Sequence, residues 1–131
     1  MKTSYFAKFS RLNDEEKNKY YPIAISTTIP KWFKDYREHH TFISPPNNLP
    51  FRYKNGDISW EEFTKEYIEF LDELEKIQSI YDYYKIIELE ENKEIVLLCY
   101  ESVKDNCHRH ILSDYIERKN NIIIEEVQIW K

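Results

Sequence analysis

Two cysteines, a histidine and an arginine lie within one short stretch of this sequence of 131 residues. An apolar run over 94–100 leads into a polar turn and then into Cys107, His108 and Arg109. A thiolate is a nucleophile, an imidazole or a carboxylate such as that of Glu101 can move a proton, and a guanidinium binds phosphate or carboxylate through paired hydrogen bonds. The stretch therefore predicts chemistry on a small anionic ligand, with Cys107 as nucleophile or redox thiol and His108 or Glu101 as proton carrier.

A helix that begins near Cys107 would favour this chemistry. Asn106 is a good N-cap, and the free N–H groups of the first turn would lie at the positive end of the helix dipole, where they favour an anion and a thiolate. Arg109 would add a clamp for the ligand. The structural alternative is that Cys107 is a small buried residue, His108 caps or packs, and Arg109 pairs with a nearby carboxylate.

Cys99 lies inside the apolar run, where a core thiol is the alternative to a site residue. A metal site would require several side chains to converge: Cys99, Cys107 and His108, with or without His110, and His39 or His40 from another loop. Their spacing matches no zinc pattern, so no metal is predicted. Gly56 is the only glycine, which excludes the glycine-rich dinucleotide, phosphate-loop and nucleophile-elbow motifs, and no cofactor is predicted.

The charge distribution bears on the choice of partner. A net charge of −5 argues against general binding to nucleic acid or to an anionic membrane. The segment 57–94 is strongly acidic, whereas 31–54 is basic and rich in aromatic residues. Either segment could dock on a protein, and nucleic-acid binding would be limited to the basic patch formed by Lys31, Lys34, Arg37, Arg52 and Lys54.

The sequence lacks the features of membrane and secreted proteins, and this predicts the compartment. No run approaches the roughly 20 apolar residues of a membrane span, and the N-terminal segment has no apolar stretch typical of a secretory signal. Two cysteines without a disulfide framework suit a reducing environment. We expect a single cytoplasmic domain over 1–131, without a structural disulfide.

The periodicity of apolar residues predicts alternating strands and helices. Strands are expected at 4–9, 21–27, 94–100 and 122–130, and a helical turn or two at 31–40. One helix begins at the capping pattern of Ser59 and Glu62, a second helical stretch covers 80–87, and a third helix begins near Cys107. A brief helix is also expected between the first two strands.

This alternation predicts an α/β fold, a small three-layer domain with a mostly parallel sheet of about four strands and helices on both faces. Ligands of such sheets bind outside the carboxyl ends of the strands, which is where the cysteine stretch lies. A ring of the ligand would stack on Trp32 or Tyr100. The residues predicted to contact the ligand are Arg109, Cys99, Tyr100, Trp32, Lys31 and Ser26.

The same residues resemble the YeaO-like proteins, known as domain-of-unknown-function family 488. That family shows an apolar strand ending in Leu-Leu-Cys-x-Glu and then Cys-His-Arg at a helix start, which here are Leu97 to Glu101 and Cys107 to Arg109. Similarity extends to 29–33 and to the helix that begins at Trp60, and it covers most of 4–130. Many members carry an arginine after the second strand, where this chain has Ser26 and Thr27. The resemblance implies a site at these residues but names no reaction.

Two functions follow as hypotheses. The first is an enzyme or binding protein for a small anionic ligand, such as a nucleotide or a modified base, at the Cys-His-Arg helix start. The second is a non-catalytic interaction domain that uses its acidic or its aromatic-rich face. A ligand site should be concave, and a partner surface should be broad and flat.

Overall fold

The structure is a computed structural model that describes residues 1–100 and 107–128. Its strands are β1 (Lys2–Tyr5), β2 (Tyr20–Ala24), β3 (Glu38–His39), β4 (Glu94–Cys99) and β5 (Glu125–Glu126). Its α-helices are α1 (Phe6–Ser10), α2 (Asp14–Lys17), α3 (Leu49–Lys54), α4 (Trp60–Ile77), α5 (Ile80–Glu91) and α6 (His108–Asn120). A 3-10 helix covers Thr41–Ile43.

The strands form one parallel sheet in the order β3-β2-β4-β1-β5. The apolar strand β4 lies at its centre, and its last five residues are fully buried. A parallel strand that is covered on both faces has this nearly continuous apolar sequence, so the prediction of an α/β fold with a parallel sheet is confirmed. The described residues contain five strands where about four were expected, and the additional strand is β3.

Alternate residues of β4 belong to two apolar cores, one on each face of the sheet. Ile95, Leu97 and Cys99 pack with side chains of α4, α5 and α6. Val96 and Leu98 pack with the smaller cluster around α1. The predicted three layers follow from this alternation, because successive strand residues point to opposite faces.

The first predicted strand, 4–9, is only partly correct. The strand stops at Tyr5, and α1 begins at Phe6. Phe6 and Phe9, three positions apart, are both buried in the smaller core. A short apolar run fits either a strand or one face of a helix, and here the helical spacing puts both rings in that core.

The prediction of helical turns over 31–40 is wrong. After a turn near Lys31, residues 33–36 have no regular secondary structure, and β3 pairs with β2 through Ile23 and Glu38. The backbone N–H of His40 also donates to the carbonyl oxygen of Ala24 at 2.8 Å. Partners on β2 therefore decide the conformation of this segment, and they are not visible in its local sequence.

The last predicted strand, 122–130, is much shorter than expected. Pairing with β1 involves only Glu125 and Glu126, and Ile123 is 81% exposed. Residues 129–131 lie outside the described part. No helix within the described residues is long and apolar enough to cross a membrane.

The helices α4 and α5 confirm the clearest sequence signals. The Ser59 side chain accepts from the backbone N–H of Glu62, and the Glu62 side chain accepts from the backbone N–H of Ser59. This reciprocal cap starts α4, which buries Phe63, Tyr67 and Leu71 on one face. The capping pattern and the apolar spacing agree on the start of the helix.

Removal of this cap should lower the stability of the domain measurably. Ser59→Ala leaves N–H groups of the first turn without their acceptor, and we expect a loss of about 1 kcal/mol in the free energy of unfolding. Ser59→Asp retains an acceptor and should stay within a few tenths of a kcal/mol of wild type. Urea unfolding of the three proteins measures the difference, and equal stabilities would contradict the role of the cap.

Candidate functional site

Cys99, Cys107 and Arg109 lie at the carboxyl edge of the sheet, beside the ends of β1 and β4. These strands are parallel neighbours, with Tyr5 opposite Cys99 at their ends. The helix after β1 packs on one face of the sheet, whereas α6, the helix after β4, packs on the other. Adjacent strands whose following helices diverge in this way leave a crevice, which is where α/β proteins bind ligands.

The two cysteines meet at this edge. Cys99 is the last residue of β4, Cys107 is the N-cap of α6, and their sulfur atoms are joined in a disulfide, with the Cα atoms 7.5 Å apart. Both residues are buried. The expectation of a chain without a disulfide is therefore wrong for this structure, because the fold places the sulfur atoms side by side although eight positions separate them.

The helix start differs by one residue from the prediction. Cys107 takes the N-cap position that was assigned to Asn106, and its side chain makes no capping hydrogen bond. Asn106 and Glu101 lie outside the described residues, so the predicted proton transfer by Glu101 stays a prediction. The helix nevertheless begins where the sequence indicated, and it brings Cys107, His108 and Arg109 to the carboxyl edge.

Arg109 is fully buried, and its guanidinium is held by three different elements. Nε donates to Glu126 Oε1 at 3.0 Å, Nη1 donates to Cys99 Sγ at 3.2 Å, and the guanidinium lies 5.5 Å from the centre of the Tyr5 ring. Thr3 Oγ1 also donates to Glu126 Oε1 at 3.0 Å. The structure thus pairs Arg109 with a carboxylate, as the structural alternative proposed, and aims one N–H group at a sulfur atom.

His108 is buried against β2 and α4. Its Nε2 lies 3.0 Å from the carbonyl oxygen of Ile25, and the Tyr67 ring packs edge-on against the imidazole. Because a carbonyl oxygen only accepts, Nε2 carries the proton. Burial lowers the pKa of His108 to about 4, and the positive charge of Arg109 acts in the same direction. His108 is therefore neutral at pH 7 and uses Nε2 to hold the end of β2.

The end of β2 is held by two further side chains. Ser44 Oγ donates to the same carbonyl oxygen of Ile25 at 2.7 Å, and His39 Nε2 donates to that of Ser26 at 2.6 Å. Ser26 itself is buried, and its hydroxyl donates to the carbonyl oxygen of Thr28. Ser26, predicted to contact the ligand, thus lies at the carboxyl edge with its hydroxyl already engaged.

The aromatic candidates lie beside this edge. Tyr100 follows Cys99, is 43% exposed, and has its hydroxyl 3.1 Å from Thr28 Oγ1. The Phe6 ring packs edge-on against that of Tyr100, and Phe33 continues the row of rings towards Trp32, which is 60% exposed. Lys31, the other predicted contact residue, is exposed.

Sequence reasoning missed Glu126 and Thr3. Glu126 lies on the edge strand β5 and Thr3 on its neighbour β1. The two strands are far apart in sequence, and only their pairing brings these residues together. The available signal was the pair of acids Glu125 and Glu126 within the apolar segment 122–130, because an acid that a strand turns towards the core requires a partner. Within the described residues, no group of three or more potential ligands is placed to hold a metal ion.

The buried neutral His108 predicts a pH-dependent stability. In the unfolded chain His108 binds a proton near pH 6.5, whereas in the fold it does so only near pH 4, so the unfolded state binds more protons between these values. Stability should therefore fall by up to about 3 kcal/mol as the pH drops from 7 to 4.

His108→Gln separates this effect from the other titrating groups. Its amide can still donate to the carbonyl oxygen of Ile25 but does not titrate. The difference in unfolding free energy between the variant and wild type should change with pH over this range, in favour of the variant at low pH. Parallel pH profiles for the two proteins would show that His108 does not titrate in this way.

Comparisons with known proteins identify the family of this chain. No curated protein and no solved structure matches the chain. A family model described as the active DUF488-N3 subclade matches residues 8–120, a span that includes both cysteines, His108 and Arg109. The chain therefore belongs to domain-of-unknown-function family 488, in its active N3 subclade.

Proposed function

We propose that this domain binds a small anionic ligand, such as a nucleotide or a modified base, at the carboxyl edge of its sheet and acts on it through Cys107. The observation that carries the proposal is the meeting of Cys107 and Cys99 at the start of α6, beside the buried guanidinium of Arg109. A thiol at a helix amino end, close to a fixed positive charge, has the environment of a reactive cysteine.

The place of this cluster supports a ligand site. It lies where the connections of β1 and β4 diverge, which is the position of ligand crevices in parallel α/β sheets. The first turn of α6 directs its backbone N–H groups towards this edge, and a helix of thirteen residues has a substantial dipole. Both features favour a negatively charged group next to Cys107.

Tyr100 supplies the surface for a flat ring. It directly follows Cys99, its ring is nearly half exposed, and its contacts with Phe6 and Thr28 restrict its movement. A fixed and exposed aromatic ring next to a reactive group suits stacking with a nucleobase. Trp32 extends the aromatic surface away from the sulfur atoms.

The buried residues Arg109 and His108 act without direct contact with the ligand. Arg109 is engaged with Glu126 and Cys99, so it contributes its positive field rather than a direct clamp. His108 positions the start of α6 against β2. Of the predicted contacts, Tyr100, Trp32 and Lys31 are the exposed ones.

Protection of Cys107 from alkylation tests this function. In the reduced protein, adenosine monophosphate should slow the reaction of Cys107 with iodoacetamide more than adenosine or inorganic phosphate does, because only the nucleotide offers both a ring and an anion. Tyr100→Ala should weaken the binding of adenosine monophosphate by about 1–3 kcal/mol, so that a higher nucleotide concentration is needed for the same protection.

Tyr36→Ala is the matched control. Tyr36 is as exposed as Tyr100 and also packs near Phe33, but it lies next to β3 at the opposite end of the sheet. The control should leave the protection unchanged. If adenosine monophosphate gives no protection, or if both substitutions weaken it equally, the proposed ligand site is wrong.

A groove on α4 favours an interaction domain as the second candidate. It has a volume of about 1010 Å³ and carries five carboxylates against two lysines. Its charged lining residues are Glu66, Glu69, Asp72, Glu73, Glu75, Lys76 and Lys119. The excess of negative charge suits a basic segment of a protein partner. The aromatic-rich face also has exposed rings, those of Trp32, Tyr36, Phe42 and Phe51.

Binding of a fluorescent lysine-rich peptide tests the second candidate. The double variant Glu69→Lys and Glu73→Lys should weaken binding at least tenfold at low salt, because it reverses the charge of the groove. The variant Glu15→Lys and Glu16→Lys makes the same change in net charge on α2, and it should bind like wild type. Equal losses would mean that the peptide responds only to net charge and that the groove is not a docking site.

A further inference from the structure

We propose that Cys99 and Cys107 form a thiol–disulfide couple that exchanges with small disulfides, with Arg109 and Glu126 as positioning residues that make Cys99 the preferred thiolate. This activity goes beyond ligand binding and requires no nucleotide. Its substrates are low-molecular-weight disulfides and, in the reverse direction, the corresponding thiols.

The two sulfur atoms have different surroundings, although both are buried. Cys99 Sγ accepts a hydrogen bond from a guanidinium that is itself fixed by a carboxylate. Cys107 Sγ lies at the N-cap of α6 and makes no capping hydrogen bond. A hydrogen bond from a charged donor stabilises an anion more than a neutral thiol, so the negative charge of the open couple belongs on Cys99.

This difference determines which sulfur is attacked. In thiol–disulfide exchange the sulfur that carries its negative charge better leaves faster. An incoming thiolate should therefore attack Cys107 Sγ, the bond between the cysteines breaks, and Cys99 departs as the thiolate beside Arg109. The mixed disulfide forms on Cys107.

A small disulfide oxidises the two cysteines in two steps. The Cys107 thiol loses its proton as Sγ attacks one sulfur of a small disulfide, whose S–S bond breaks and releases one thiolate. The Cys99 thiolate then attacks Cys107 Sγ and releases the second thiolate. The two cysteines lose two electrons and their protons, and the small disulfide becomes two thiols.

Glu126 adjusts how strongly the guanidinium of Arg109 stabilises the Cys99 thiolate. Its carboxylate is 3.0 Å from Nε of Arg109, and it partly offsets the positive charge that faces Cys99. Thr3 on β1 fixes the same carboxylate oxygen. A residue of the edge strand β5 therefore acts on the sulfur at the end of β4 through the guanidinium.

Trapping with oxidised glutathione tests the proposal directly. Wild type should close to the internal disulfide, with the mass of two hydrogen atoms lost and no lasting adduct. Cys99→Ser should retain one glutathione on Cys107, because the attacking thiolate is missing, and peptide mapping locates the adduct. A lasting adduct on wild type, or a Cys99→Ser protein that forms none, would overturn the proposal.

Charge variants test the roles of Arg109 and Glu126. The measured quantity is the rate at which glutathione reduces the disulfide, which depends on the charge near Cys99 and not only on whether the protein is folded. Reduction of the closed form by glutathione, followed by intact mass after an acid quench, should slow by roughly three- to tenfold in Arg109→Gln. It should become faster in Glu126→Gln, whose amide still accepts from Arg109 but no longer offsets its charge.

Glu125→Gln is the control, because it removes the same charge from the neighbouring, exposed residue of β5. It should reduce at the wild-type rate. Changes of the same sign in Arg109→Gln and Glu126→Gln would indicate a merely structural effect and overturn the assignment. If Arg109→Gln fails to fold, the rate of Glu126→Gln decides the point: faster reduction than wild type supports the assignment, and an unchanged or slower rate overturns it.

The result of the exchange assays is independent of the result of the nucleotide-protection assay. Exchange is measured without nucleotide, and nucleotide protection is measured on the fully reduced protein. Each assay can therefore fail while the other succeeds.

Discussion

The buried positive charge of Arg109 is the constraint on which this end of the molecule depends. A guanidinium removed from water is strongly destabilising unless charged and polar partners surround it, and loss of one partner of such a pair typically costs about 3–5 kcal/mol. Here the partners come from β5, β4 and β1. Together, these contacts of Arg109 fix the start of α6 against three strands at once.

The start of α6 also reaches the other half of the sheet. His108 donates to the carbonyl oxygen of Ile25 just beyond β2, where Ser44 donates as well. Two consecutive residues of one helical turn thus connect opposite sides of the central strand. This arrangement explains how a chain with a single glycine can fix its strand ends without a glycine-rich loop: side-chain hydrogen bonds hold them.

Much of the fold is predictable because its signals are local. The reciprocal cap at Ser59, the apolar spacing of α4 and the apolar run of β4 each depend on neighbours within a few residues, and the structure confirms all three. Among the predicted elements, 4–9 is only partly a strand and the helical turns at 31–40 are wrong, because these short aromatic segments fit more than one conformation. Their conformation was decided by the apolar core around α1 and by pairing with β2.

The sequence by itself determined the parallel α/β fold, the helix start at the Cys-His-Arg stretch and the place of these residues at a carboxyl edge, because hydrophobic periodicity and capping are properties of short segments. Only the tertiary structure decided the pairing of the two sulfur atoms, the burial of Arg109 and its partner Glu126. The sulfur pair joins the end of β4 to the start of α6, and the ion pair joins α6 to β5. Both contacts depend on where α6 packs against the sheet, which follows from packing the whole domain around one central strand.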